Sequence, residues 1–190
     1  DIESFTVKGK IEKGDYKISG NVTSQYITGL LFALATLGGG KITVTGKVVS
    51  EPYIAVTVET LESFGADIEK RGNVYEIKKG FGKAKEDITV EGDYSGAAFF
   101  FTAAAIDGKI TVNGLKENSL QGDAEILNVL KKFGANVRVN GDSVTVEKGE
   151  LNGITEDFEN VPDLVQIAAV AAAYAKGETR LKNVYRLKDK

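Results

Sequence analysis

Val90-Glu-Gly-Asp-Tyr-Ser95 opens a stretch that passes through the apolar run Ala97-Ala-Phe-Phe-Phe-Thr-Ala-Ala-Ala-Ile106 and the alternating Lys109-Ile-Thr-Val-Asn-Gly114, and closes on Asn118-Ser-Leu-Gln-Gly-Asp123. A polar turn, an apolar run of helical length, a period-two segment and a second polar turn spell strand, helix start, buried helix, strand, helix start. Other parts of the chain repeat this plan. Lys41-Ile-Thr-Val-Thr-Gly46 returns 68 residues later as Lys109-Ile-Thr-Val-Asn-Gly114. Ser63-Phe-Gly-Ala-Asp-Ile68 returns 69 residues later as Lys132-Phe-Gly-Ala-Asn-Val137. A near-constant spacing of this size means one supersecondary unit used more than once.

The unit reads β-α-β-α-β-β. In the first copy Asp15 to Ser19 alternates as a strand, Thr23 to Leu37 is an apolar helix, and Lys41 to Thr45 is a strand. Pro52 to Phe64 is a second helix, with Pro in its first turn and Gly65 at its exit. Asp67–Lys70 and Val74–Lys78 form a hairpin. The second copy runs from Ile88 to Lys148, with helices near Ser95–Ile106 and Asp123–Phe133. The third offers a helix from Pro162 to Ala175 and a strand near Thr179–Val184. The expected organisation is therefore unit one over 1–82, preceded by a stray strand of a missing unit, unit two over 83–150 and a truncated unit three over 151–190. The Gly- and Lys-rich segment Gly80–Glu86 is the expected linker between the first two copies. The first helix of each copy is hydrophobic nearly all round, as in Ile167-Ala-Ala-Val-Ala-Ala-Ala-Tyr174. Such helices are expected to be buried, with the sheets and the amphipathic second helices outside. The fold class is α/β.

Composition bounds the function. Net charge is −3 and no dense basic run exists, which argues against a nucleic-acid surface. The apolar runs are too short to span a bilayer, and no signal peptide is visible, so no membrane role is expected. The chain lacks Cys, His, Met and Trp. Thiolate, Ser-His and His-ligated metal chemistry are excluded, and acid–base work falls to Asp, Glu, Lys or Tyr. Four missing residue types and a shortened third copy point to a redesigned sequence or a trimmed segment of a longer one.

The polar residues that interrupt the apolar pattern gather at helix starts: Thr23-Ser24-Gln25, Ser50 with Tyr53, Asp93 with Ser95, Ser119 with Gln121 and Asp123, and Asp163. Helix N-termini present free N–H groups and partial positive charge, which suit phosphates and carboxylates. Ser, Thr and Asp also occupy such positions as caps, worth about 1 kcal/mol each. Both readings stand for each residue.

Val22-Thr-Ser-Gln-Tyr26, Ser50-Glu-Pro-Tyr-Ile54, Val90-Glu-Gly-Asp93, Asn118-Ser-Leu-Gln-Gly-Asp123 and Val161-Pro-Asp163 resemble, in order and spacing, motifs of the 5-enolpyruvylshikimate-3-phosphate synthases. The UDP-N-acetylglucosamine enolpyruvyl transferases fit less well. The resemblance covers the whole chain but only a central part of that longer family. It implies the enolpyruvyl-transferase fold, an inside-out α/β barrel of repeated units. It implies transfer of the enolpyruvyl group of phosphoenolpyruvate to the 5-hydroxyl of shikimate 3-phosphate, with no metal or organic cofactor and a cytoplasmic location. Thr23, Ser24, Gln25, Ser50 and Tyr53 would bind shikimate 3-phosphate. Asp163 and Lys190 would be catalytic. Asp93, Gln121 and Asp123 would be structural or binding. Glu51 stands where the family commonly carries Lys, and Arg186 where it often carries Asn. The family's cation-bearing segments have no counterpart here, so the phosphoenolpyruvate subsite is expected to be nearly absent. The alternatives are a non-catalytic scaffold, or a fragment completed by complementary segments of the same family.

Overall fold

A computed structural model describes residues 4, 6–84 and 87–189. Its elements are β1 (Asp15–Ser19), α1 (Ser24–Leu37), β2 (Gly40–Thr45), α2 (Glu51–Ser63), β3 (Asp67–Arg71), β4 (Val74–Lys79), α3 (Tyr94–Ile106), β5 (Lys109–Asn113), α4 (Ile126–Phe133), β6 (Asn136–Asn140), β7 (Ser143–Glu147), β8 (Thr155–Asp157), α5 (Leu164–Tyr174) and β9 (Arg180–Lys182). The fold is mixed α/β. Two compact units form, one from the described residues of Asp1–Val48 and Thr57–Ile88, the other from Val49–Val56 and the described residues of Thr89–Lys190.

In the first unit the sheet order is β1-β2-β4-β3. β1 pairs with β2 in parallel, because α1 supplies the crossover between them. β2, β4 and β3 are antiparallel. α1 lays Ile27, Leu31 and Leu34 against Ile42, Tyr75 and Ile77, all of them buried. It ends at Gly38, whose left-handed backbone returns its N–H to the last turn.

In the second unit β5, β7 and β6 form an antiparallel sheet in that order, and β8 pairs with β9 in parallel. Tyr94, Phe101, Phe133, Phe158 and Leu164 fill one core between these strands and α3, α4 and α5. The second helix of this copy is shorter than its pattern suggests. Gly122–Glu125 forms a 3-10 turn and the α-helix begins only at Ile126.

Two other expectations give way. No strand forms at 88–91. Just after that stretch the Gly92 N–H bonds the carbonyl of Gly114, the residue following β5, at 2.8 Å, and Val90 is 89% exposed. The apolar helices are not covered on all sides either. Each buries one face, and α3 and α5 pack on one another, leaving an outer row of Phe99, Phe100, Val170 and Tyr174 exposed, with Phe100 at 61% and Tyr174 at 66%. Nearly all-round hydrophobicity gave no angular preference from which the exposed side could be read. Of the linker expected at Gly80–Glu86, Lys85 and Glu86 lie outside the described residues.

The glycine that follows the last strand of each hairpin is a contact point. A Cβ on Gly80 would lie 2.0 Å from the Ala35 carbonyl oxygen, and one on Gly149 would lie 2.0 Å from that of Gly134. Both obstacles are backbone, so neither can swing aside. Gly80→Ala and Gly149→Ala are each expected to lower unfolding free energy by about 1–3 kcal/mol, the usual cost of overpacking, read as a lower urea midpoint.

Candidate functional site

Each helix start solves the problem of its unpaired N–H groups differently. At α1, Thr23 is the cap, and its Oγ1 accepts the Gln25 N–H at 3.2 Å. Ser24 is buried, while Gln25 and Tyr26 face solvent. The first turn carries no acidic residue. These three candidates sit together in the first unit. Deeper in that unit the Thr28 and Thr57 hydroxyls pair at 3.0 Å, a contact between α1 and α2 that no local pattern announced.

At α2, Ser50 adopts a positive φ of 54° and its carbonyl accepts the Tyr53 N–H at 3.2 Å. Glu51 lies in the first turn, where its charge complements the helix dipole. At α3, Asp93 is a full cap: one carboxylate oxygen accepts the Ser95 N–H and the other the Gly96 N–H, each at 2.9 Å. Gln121 reaches the same helix start from 27 residues away. Its Oε1 accepts the Tyr94 N–H at 2.9 Å and its Nε2 donates to the Gly92 carbonyl at 2.8 Å. The Ser119 hydroxyl in turn accepts the Gln121 N–H at 3.1 Å.

This bridge places Asp123 beside α3. Its side chain is only 2% exposed, and Oδ2 accepts the Ser95 hydroxyl. Oδ1 is buried with no hydrogen-bond partner among the described residues. The Tyr53 hydroxyl is in hydrogen-bonding reach of the same carboxylate, and Asp163 and Asp93 also act on it electrostatically. Asp163 stands at the start of α5 in helical conformation, and its side chain makes no capping hydrogen bond there. The second unit thus brings Tyr53, Asp93, Asp123 and Asp163 together, with Ser95 and Gln121 as supports. Ser95 belongs with them, and the signal for it was its place two residues after the capping Asp93. Lys190 lies outside the described residues, as does the side chain of Arg186.

The chemistry differs between the helix starts. α2, α3, α4 and α5 each begin with an acidic residue at the cap or in the first turn: Glu51, Asp93, Glu125 and Asp163. Among the described α-helices only α1 begins without one. An anion would therefore meet free N–H groups and a positive dipole end at α1, and carboxylates at the others. The Tyr53 cluster is suited instead to ligand hydroxyl groups, which carboxylates accept from readily.

A family model described as EPSP synthase (3-phosphoshikimate 1-carboxyvinyltransferase) matches residues 2–190. The chain is similar to the 3-phosphoshikimate 1-carboxyvinyltransferase of Clostridium novyi, at 41% identity over 188 residues, covering 98% of this chain and 43% of the relative. The enzyme of that name from Brachyspira hyodysenteriae is 41% identical over 192 residues, covering 99% and 46%. Among solved structures, EPSP synthase from Acinetobacter baumannii aligns with a TM-score of 0.67 at 25% identity, over 90% of this chain and 40% of that one. The enolpyruvyl transferase NikO from Streptomyces tendae shares the fold, with a TM-score of 0.62 at 18% identity over 88% and 43% of the two chains. The chain thus spans less than half the length of each of these proteins.

Burial, the Asp123 charge and its hydrogen bond, then Asp163 and Asp93, push the Tyr53 phenol well above the ordinary tyrosine range. The folded chain therefore holds this proton more tightly than the unfolded chain does. Its contribution to stability is whole below pH about 10, the unperturbed value, and is lost as pH rises through the higher folded value. Chemical denaturation between pH 9 and 11 is expected to show stability falling less steeply in Tyr53→Phe than in the parent.

Proposed function

The chain belongs to the EPSP synthase family, and on that premise we propose that it carries part of the machinery that moves the enolpyruvyl group of phosphoenolpyruvate onto the 5-hydroxyl of shikimate 3-phosphate. The observation that supports this reading is the start of α1. Thr23, Ser24 and Gln25 stand at the one described α-helix start free of acidic residues, which favours a doubly charged phosphate. In this reading Ser50 and Tyr53 are also shikimate 3-phosphate contacts, as the family resemblance implies. Asp163 accepts the proton of the attacking hydroxyl, as the family resemblance implies, since a carboxylate is a group suited to general-base work. Lys190 supplies a cation to the developing charge. Asp93 and Gln121 build the start of α3, and Asp123 supports Tyr53. Location in the cytoplasm accompanies this reading, and no helix of the described residues is long and apolar enough to cross a membrane.

A second reading is favoured by the share of its relatives that the chain spans. Both substrates are anions, and cations that meet phosphoenolpyruvate would come from complementary segments of the same family. Activity would then appear only on mixing.

A thermal-shift titration with shikimate 3-phosphate tests the binding claim. Ligand at a hundred times its Kd stabilises a native state by about 2.7 kcal/mol, so the midpoint is expected to rise clearly. The Ser24→Ala, Gln25→Ala double variant is expected to remove that rise while unfolding at nearly the parent temperature without ligand. A parent chain that does not respond would sink the reading. Phosphate release from both substrates, measured with and without the flanking segments of a relative, separates the two forms of activity.

A further inference from the structure

In the second unit, three segments distant in sequence meet around one phenol. Gly122 approaches the first turn of α2 so closely that a Cβ there would lie 3.3 Å from the Pro52 ring and 3.3 Å from a Val161 methyl. The absence of a side chain at 122 lets the turn carrying Asp123 close down on both Pro52 and the Val161-Pro-Asp163 segment. Asp123 is 2% exposed, bonded to the Ser95 hydroxyl and in reach of the Tyr53 hydroxyl. The Gln121 bridge to Tyr94 N–H and Gly92 C=O fixes this turn from its other side.

A phenol has one proton to donate and lone pairs with which to accept. A buried carboxylate is the strongest acceptor within its reach, since charge-assisted bonds are roughly twice as strong as neutral ones. We propose that Asp123 is a positioning residue that engages the Tyr53 proton, so that Tyr53 meets its ligand as an acceptor from a hydroxyl group rather than as a donor to a phosphate. Asp163 and Asp93, the other carboxylates acting on Tyr53, act in the same direction, because their charges repel an anion from this place. The role rests on the substrate reading above and sharpens it. It assigns the polyhydroxylated ring of the ligand to Tyr53 and leaves the phosphate to other groups. Ser95 contributes by donating to Asp123 Oδ2, which fixes the orientation of the carboxylate.

The test is a set of titrations on the full chain with two probes, shikimate 3-phosphate and inorganic phosphate. Tyr53→Phe is expected to weaken shikimate 3-phosphate binding about 3- to 10-fold, the worth of one hydrogen bond, and to leave inorganic phosphate unchanged. Asp123→Ala is expected to weaken the first probe to a similar degree, and the double variant to bind no worse than either single one, the sign of coupling. Equal losses for both probes in Tyr53→Phe would mean that Tyr53 donates to phosphate, and overturn the proposal. Additive losses in the double variant would overturn it as well. Should Asp123→Ala fail to fold, the Tyr53→Phe comparison between the two probes decides alone. A parent chain that binds neither probe overturns the substrate reading and this role with it. A parent that binds shikimate 3-phosphate with additive losses overturns this role only.

Discussion

The amide of Gln121 ties the turn before α4 to the start of α3 in the second unit. A helix leaves its first N–H groups without partners, and a buried helix cannot hand them to water. α3 meets this need partly with its own cap, Asp93, and partly with Gln121, which takes the Tyr94 N–H and gives its own N–H to the Gly92 carbonyl. That two-way bond ties the turn at 118–125 to the helix start. Everything beside it follows: Asp123 comes to the Ser95 hydroxyl, and the Tyr53 phenol comes to Asp123. One neutral side chain thereby decides where a buried carboxyl group sits.

Charge separates the helix starts into two kinds. Carboxylates stabilise α2, α3, α4 and α5 at their positive ends, and each such residue makes its helix start a poorer place for an anion. α1 relies on a threonine hydroxyl instead and keeps its dipole uncompensated. The division is written in which residue stands at the cap or in the first turn. It leaves the second unit with a cluster of acidic groups around a phenol, whose affinity is for donors.

Local patterns carried most of the architecture. The alternation of Lys109-Ile-Thr-Val-Asn113, the glycine after Leu37 and the glycine after Phe133 are short-range signals, and β5, α1 and α4 end where they say. Where the structure departs from them, the deciding interaction is distant. The stretch 88–91 has strand-forming residues, but the bond nearest to it, Gly92 N–H to the Gly114 carbonyl, lies just beyond both the stretch and β5, and the stretch does not join the sheet. α3 and α5 are apolar nearly all round, and only their packing on one another, on α4 and, for α3, on β5 and β7 selects which face is covered. The candidate site divides along the same line. Asp93 as a cap was readable from its position before Tyr94 and Ser95. The partnership of Gln121 with Tyr94, and of Asp123 with Ser95, joins residues 27 and 28 apart, and no spacing rule reaches that far.

The outer row of α3 and α5 has a thermodynamic consequence. Heat-capacity change and denaturant sensitivity scale with the apolar surface that unfolding newly presents to solvent. Phe99, Phe100, Val170 and Tyr174 are already wetted in the native chain, so their release adds little to either quantity. Unfolding this chain is accordingly expected to change the heat capacity somewhat less than it would if those four side chains were buried.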